Sequence, residues 1–175
     1  MGCVRGLRLL AAAGAVWFAS CAAGLAAKEM VVSASGLPVP RYVSLKSDHV
    51  NVRVGPTKDQ DVSWIYTRAG LPVEITAEFE NWRRVRDSEG AEGWVYHSLL
   101  SGKRTAVITM KRKDELAPIY DSPDAASGVA ARLQAGVVAS VKRCAGGWCR
   151  INGSGFDGWI EQQRLWGVYA DEKVN

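Results

Sequence analysis

The sequence predicts an all-β protein in which a cleaved export leader precedes two small tandem β-barrels of about 59 residues each. Three observations carry this. The run GWVYHSLLSG at 93–102 lies without gaps over GWIEQQRLWG at 158–167, both reading Gly-Trp, an apolar residue, four residues, Leu, one residue, Gly. The segments between are short β-prone runs punctuated by Gly, Pro, Asn and Asp. Helical periodicity is nearly absent after the leader.

The leader is read first because it sets the compartment. Arg5 and Arg8 precede the apolar run LLAAAGAVWFA, and small residues follow at 24–27. This layout of charge, short apolar stretch and small-residue exit is that of a secretory signal peptide, and its apolar stretch is too short for a transmembrane helix. Residues 1–27 are therefore set aside from the fold, which gives an exported, periplasmic protein. The alternative exit is WFASC at 17–21, a loose lipobox with Phe18 where Leu is usual, which would make Cys21 a lipidation site and the chain a membrane-anchored lipoprotein.

Upstream of the Gly-Trp runs the repeat continues, with Gly70 over Gly136, Ile75 over Val141, Trp82 over Trp148, Arg84 over Arg150 and Val85 over Ile151. Pro56 falls on Pro123 after one further gap. The units are 44–102 and 111–169, flanked by a leader segment 28–43, a connector 103–110 and a tail 170–175. Together they take up 118 of the 148 residues from 28 to 175, leaving no room for a third, catalytic domain. Within the units VNVRV (50–54), LPVEITAEF (71–79) and VVASVKRC (137–144) read as strands, and DAASGVAARLQAG (124–136), interrupted by Ser127 and Gly128, as a long loop leading into a strand. The connector is short and β-prone (TAVIT), which predicts closely packed barrels. A unit this small buries only about 60% of its unfolded surface, so the paired Trp82/Trp148 and Trp94/Trp159 are assigned to equivalent places in two cores.

HVNVRVGPT (49–57), the Gly-led strand at 70, NWRRV (81–85) and EGWV (92–95) resemble the bacterial SH3 domain. The second unit, with GGWCRI and DGWI, resembles the same family in a variant common in alphaproteobacterial exported proteins. It has PIYDSP where the first has NVRVGP. The resemblance implies a five- to seven-stranded, partly open SH3-like barrel serving as a docking module for cell-wall peptides, glycan or envelope proteins, without catalysis and without a cofactor.

Cys144 and Cys149 flank Ala145-Gly146-Gly147, a hairpin turn that brings them side by side. A zinc site needs four ligands, and beyond this pair residues 28–175 offer only His49 and His97, both in the other unit. A redox pair of the thioredoxin kind needs a two-residue gap at a helix start. A structural Cys144–Cys149 disulfide is therefore expected, in keeping with an oxidising compartment. Glu78 and Arg83 hold the equivalent positions in the first unit, where an ion pair can replace it.

No catalytic constellation can be assembled: the cysteines are committed to each other, both histidines belong to the other unit, and the carboxylates sit at turns such as KDQD (58–61). After loss of Arg5 and Arg8 the 20 Lys and Arg face 18 Asp and Glu with no long basic tract, which argues against a nucleic-acid partner. Lys111-Arg112-Lys113 reads as a solvated strand edge and Asn152-Gly-Ser154 as a turn. Aromatics remain as candidates, because flat exposed rings hold ligands with little entropy loss. Trp64 and Tyr66 have no aromatic counterpart in the second unit, so a ligand groove is placed in the first unit at Trp64 and Tyr66, with Tyr96 and Arg53 as neighbours.

Overall fold

The computed structural model describes residues 31–33, 35–110, 112 and 114–175. The signal peptide at 1–27 and Cys21 lie outside the described residues. A short leader hairpin, β1 (Val31–Val32) with β2 (Pro38–Val39), comes first. The first sheet follows, built from β3 (Arg41–Leu45), β4 (Val50–Arg53), β5 (Val62–Tyr66), β6 (Pro72–Phe79), β7 (Trp82–Arg86), β8 (Glu92–Tyr96) and β9 (Leu100–Ser101). Its order is β5-β4-β8-β7-β6-β3-β9, with a 3-10 turn at His97–Leu99.

The second sheet repeats this plan. It contains β10 (Thr105–Ile108), β11 (Leu116–Tyr120), β12 (Val129–Gln134), β13 (Val138–Ala145), β14 (Trp148–Gly153), β15 (Phe156–Glu161) and β16 (Leu165–Trp166). Its order is β12-β11-β15-β14-β13-β10-β16, with the second 3-10 turn at Gln162–Arg164. Among the described residues there is no α-helix. The all-β expectation and the two SH3-like units in tandem hold.

Two strands fall outside the units drawn from the repeat. Arg41–Leu45 was placed mostly in the leader segment, and Thr105–Ile108 in the connector; each is instead the strand that joins the 6–7 or 13–14 hairpin to the short last strand of its sheet. RYVSL and TAVI carry no glycine or tryptophan marker for the repeat to align. All four residues Thr105–Ile108 are buried, which hides the alternation of a half-exposed strand. The link between the sheets is thus only residues 102–104, and the barrels touch: Arg68 Nη1 donates to Gly136 O at 3.2 Å.

Each sheet wraps its own aliphatic cluster. Val43, Leu45, Val50, Val52, Val73, Ile75, Val85 and Val95 fill the first. Ala106, Ile108, Ile119, Val141, Ile151, Ile160 and the disulfide are among those filling the second. The paired tryptophans do not belong to either cluster. Strand alternation is the reason: Gly93 and Val95 face inward, so Trp94 faces out. The glycine is required there, because a Cβ on Gly93 would meet Val52 Cγ1 at 2.4 Å. Trp94, Trp148 and Trp159 are half-buried on the outer faces, and buried Trp82 stands edge-on to Tyr96 at 5.4 Å.

Candidate functional site

The structure separates the four aromatic and basic candidates of the first unit. Trp64 pairs in register with Val52 and Tyr66 with Val50, and residues opposite each other in a ladder point to the same face. Both rings therefore pack against the first core, 6.0 Å apart and edge-to-face. The Tyr66 hydroxyl donates to Asp87 Oδ2 at 3.0 Å, and burial followed by the Asp87 charge pushes its pKa well above the ordinary tyrosine value. Arg53 pairs with Trp94 on the outer face, where its Nη1 donates to Gln60 O at 2.5 Å, and Tyr96 stands on Trp82. The four do not line one groove. The missing aromatic counterpart in the second unit also has a packing explanation: Ala131 and Leu133 occupy the matching register positions opposite Ile119 and Ala117, inside the second core.

What the fold does assemble is a cleft of about 1070 Å³ where the leader, the first barrel and the C-terminal tail meet. Leu37, Pro38 and Pro40 form one wall, Tyr42, Ile75 and Leu100 the floor, and Tyr169 to Glu172 the far wall, with His97 and Arg104 at its polar positions. Leu37 is 51% exposed at the rim. Tyr169, at the end of the second unit, and tail residues 170–172 carry no local pattern that marks them in the sequence.

Two clusters hold the walls. On the leader side Glu78 Oε1 receives Arg41 Nη2 at 2.6 Å and Arg83 Nε at 3.0 Å, while Oε2 receives Ser33 Oγ at 2.6 Å and the Ser35 backbone N–H at 3.2 Å. Burial alone would raise the Glu78 carboxyl, but the hydrogen bonds from Ser33, Arg41 and Ser35 and the Arg41 charge outweigh it and hold the pKa at about 2. The expected Glu78–Arg83 pair is present and is not a surface bridge, since the Glu78 side chain is 2% exposed.

On the tail side, Tyr42 lies 4.6 Å from Tyr169 and 5.0 Å from Trp166 between ring centres. Tyr169 Oη donates to Glu74 Oε1 at 2.9 Å, and Glu74 is also paired with Arg86. Burial first, and the Glu74 charge second, push the Tyr42 pKa to about 12 and that of Tyr169 higher still, so both phenols stay protonated in any ordinary medium. Arg104 grips Glu172 through both guanidinium nitrogens at 2.7 and 3.0 Å, which with the Tyr169 N–H keeps that carboxyl below its usual range despite burial.

In the second barrel Cys144 and Cys149 sit in register on β13 and β14 and form the expected disulfide. The Cys144 backbone pairs with Val174, N to O at 2.9 Å, so the staple also anchors the tail. A Cys144→Ser, Cys149→Ser chain should lose about 2 kcal/mol of stability in denaturant titration. Thiol labelling of the native chain under denaturing, non-reducing conditions should find neither cysteine free. Among the described residues no cluster of His, Cys, Asp and Glu is placed to hold a metal ion, and no helix is long and apolar enough to cross a membrane.

Two sheets of identical strand order, each around its own core, define a tandem small-barrel protein. The bacterial SH3 domain model matches residues 46–102 and 113–167, and the chain belongs to that family. A comparison with the curated proteins found no match. Among solved structures, NlpC2 from Trichomonas vaginalis is 18% identical over 73% of this chain with a TM-score of 0.31, and NlpC1 from the same organism 17% identical over 78% with a TM-score of 0.31. The chain spans about half the length of each, 48%.

Proposed function

We propose that this chain is an exported, periplasmic, non-catalytic docking module that holds cell-wall peptidoglycan or an envelope protein. The observation that supports the reading is the inter-barrel cleft. Its volume reaches the upper end of the usual ligand-pocket range of about 300–1,000 Å³, and its walls are mainly apolar with a few polar groups, as ligand pockets are. Of the charged groups that line it, Arg41, Arg83, Arg104 and Glu172 are bound to one another or to Glu78 and so shape the site, while His97 and Asp171 complete its polar lining.

Retention of residues 28–175 on purified sacculi tests this, with the denatured chain as control. Leu37→Asp puts a charge on an apolar rim at a residue already half in solvent, and should lower retention roughly tenfold while leaving the melting temperature unchanged. Equal retention of native and denatured chain, or of native chain and variant, would count against docking through the cleft.

A second reading, a structural or assembly factor without a groove, draws on the use of Tyr42, Trp166 and Tyr169 to join the barrels. It predicts no retention on sacculi and a co-purifying envelope protein that the Leu37→Asp chain also carries.

A further inference from the structure

The second barrel carries a row of four polar side chains across β10, β13, β14 and β15. Thr105 pairs in register with Ser140, Ser140 with Asn152, and Asn152 with Asp157. The row faces outward, since the alternate residues Ala106, Ala139 and Ile151 enter the core. The first barrel covers its near end with Ser44 and Gly70, and the link adds Lys103, leaving a cavity of about 440 Å³ in the seam. Thr105 is 5% exposed, and both Thr105 Oγ1 and Asn152 Oδ1 are buried without a hydrogen-bond partner among the described residues. A buried polar atom left unpaired costs about 1–3 kcal/mol, and native proteins pair most of them. These two oxygens line a space from which a partner can come.

The matching row of the first barrel indicates the chemistry such a row accepts. There Tyr42, Glu74, Arg86 and Glu92 follow one another in register. Glu74 is satisfied by Arg86 within the row and by a hydroxyl from across the seam, that of Tyr169. In the second barrel Ser140 and Asn152 stand where Glu74 and Arg86 stand in the first, so the internal ion pair is gone. No hydroxyl arrives from the other side, because Ser44 Oγ donates to Lys103 O at 2.9 Å. The rim is cationic: Lys46 and Lys103 border the cavity, no Asp or Glu lines it, and the Lys103 ammonium has no partner among the described residues.

We infer that this seam is a subsite for a sugar acid. One sugar hydroxyl donates to Asn152 Oδ1, a second exchanges a hydrogen bond with Thr105 Oγ1, and the carboxylate faces the Lys103 ammonium, Lys46 Nζ being already engaged with Ser98 O at 3.2 Å. The inference rests on the cell-wall reading above and narrows it to glycan whose sugar carboxyl is free, that is, glycan from which the peptide stem has been cleaved.

The test titrates residues 28–175 with N-acetylmuramic acid and, separately, with neutral N-acetylglucosamine, following backbone amide shifts. The acid should perturb Thr105, Ser140 and Asn152. Thr105→Val, which removes one hydroxyl at constant shape, should weaken it roughly fivefold. Lys103→Gln, at an exposed residue, should bring the two sugars to equal affinity and serves if the Thr105 variant folds poorly. Equal affinity of both sugars for the native chain overturns the inference, as does a Thr105→Val chain that melts higher with unchanged sugar affinity, because the orphan oxygens then serve solvent alone. No sugar response together with intact sacculus retention removes the subsite and leaves the docking function. Sugar binding without sacculus retention does the reverse.

Discussion

A Glu78→Ala chain should melt about 6–12 °C below the native protein, a loss of about 3 kcal/mol. The carboxylate is the common acceptor for Arg41, Arg83, Ser33 and Ser35, and its removal leaves two guanidinium groups only 16% and 12% exposed. Such uncompensated charge is costlier than the absence of the whole pair. Glu78→Gln separates charge from shape. The folded carboxyl titrates at about 2 against an ordinary 4.5, so its contribution is fully present above pH 4.5 and is lost as pH falls toward 2. The native chain should therefore lose more stability than Glu78→Gln over that window. Parallel melting curves of the two chains from pH 4.5 to 2 would show that the carboxylate carries no such load. Protease cleavage near Ser33 and Ser35 should rise in step with the melting change.

Trp64→Ala should also cost about 3 kcal/mol, the low end for removing a core tryptophan, since the indole is only partly buried. Its ring packs against the first core opposite Val52 and beside Gly93, so truncation leaves a cavity there. Trp64→Leu should recover part of the loss, since leucine restores some of the apolar volume opposite Val52. Sacculus retention per folded molecule should not change in either variant. A chain that keeps its full stability but releases the wall would return Trp64 to the ligand groove that the sequence reading gave it.

The fold was legible in the sequence wherever the repeat left a rigid marker. Gly-Trp at 93 and 158, and the turn glycines Gly70 and Gly136 with φ of +77° and +82°, set the frame for both sheets. The Cys144–Cys149 staple and its ionic counterpart Glu78–Arg83 could be read because a hairpin makes a short sequence separation a short distance. Facing was harder. Trp82 is buried as expected, but Trp94 was also assigned inward on size, whereas the two-residue period and the close approach at Gly93 turn it outward. Trp64 and Tyr66 were assigned outward because they lacked aromatic partners in the repeat, but two cores of one plan can be filled with different side chains. The cleft was invisible for another reason: it needs Tyr169 to fold back onto Glu74, 95 positions earlier, and nothing local encodes a contact of that span.

The clasp on the leader has a mechanical consequence. A tug on the chain ahead of Val31 is met by the β1–β2 ladder and by the Ser33, Ser35 and Arg41 bonds to Glu78, before any core strand is strained. Traction at the other end meets Val174 on the covalently closed β13–β14 hairpin. The molecule thus has a non-covalent grip at each end, side-chain bonds to Glu78 at the front and the two Val174–Cys144 backbone bonds at the back, so under tension these should yield while both barrels remain folded.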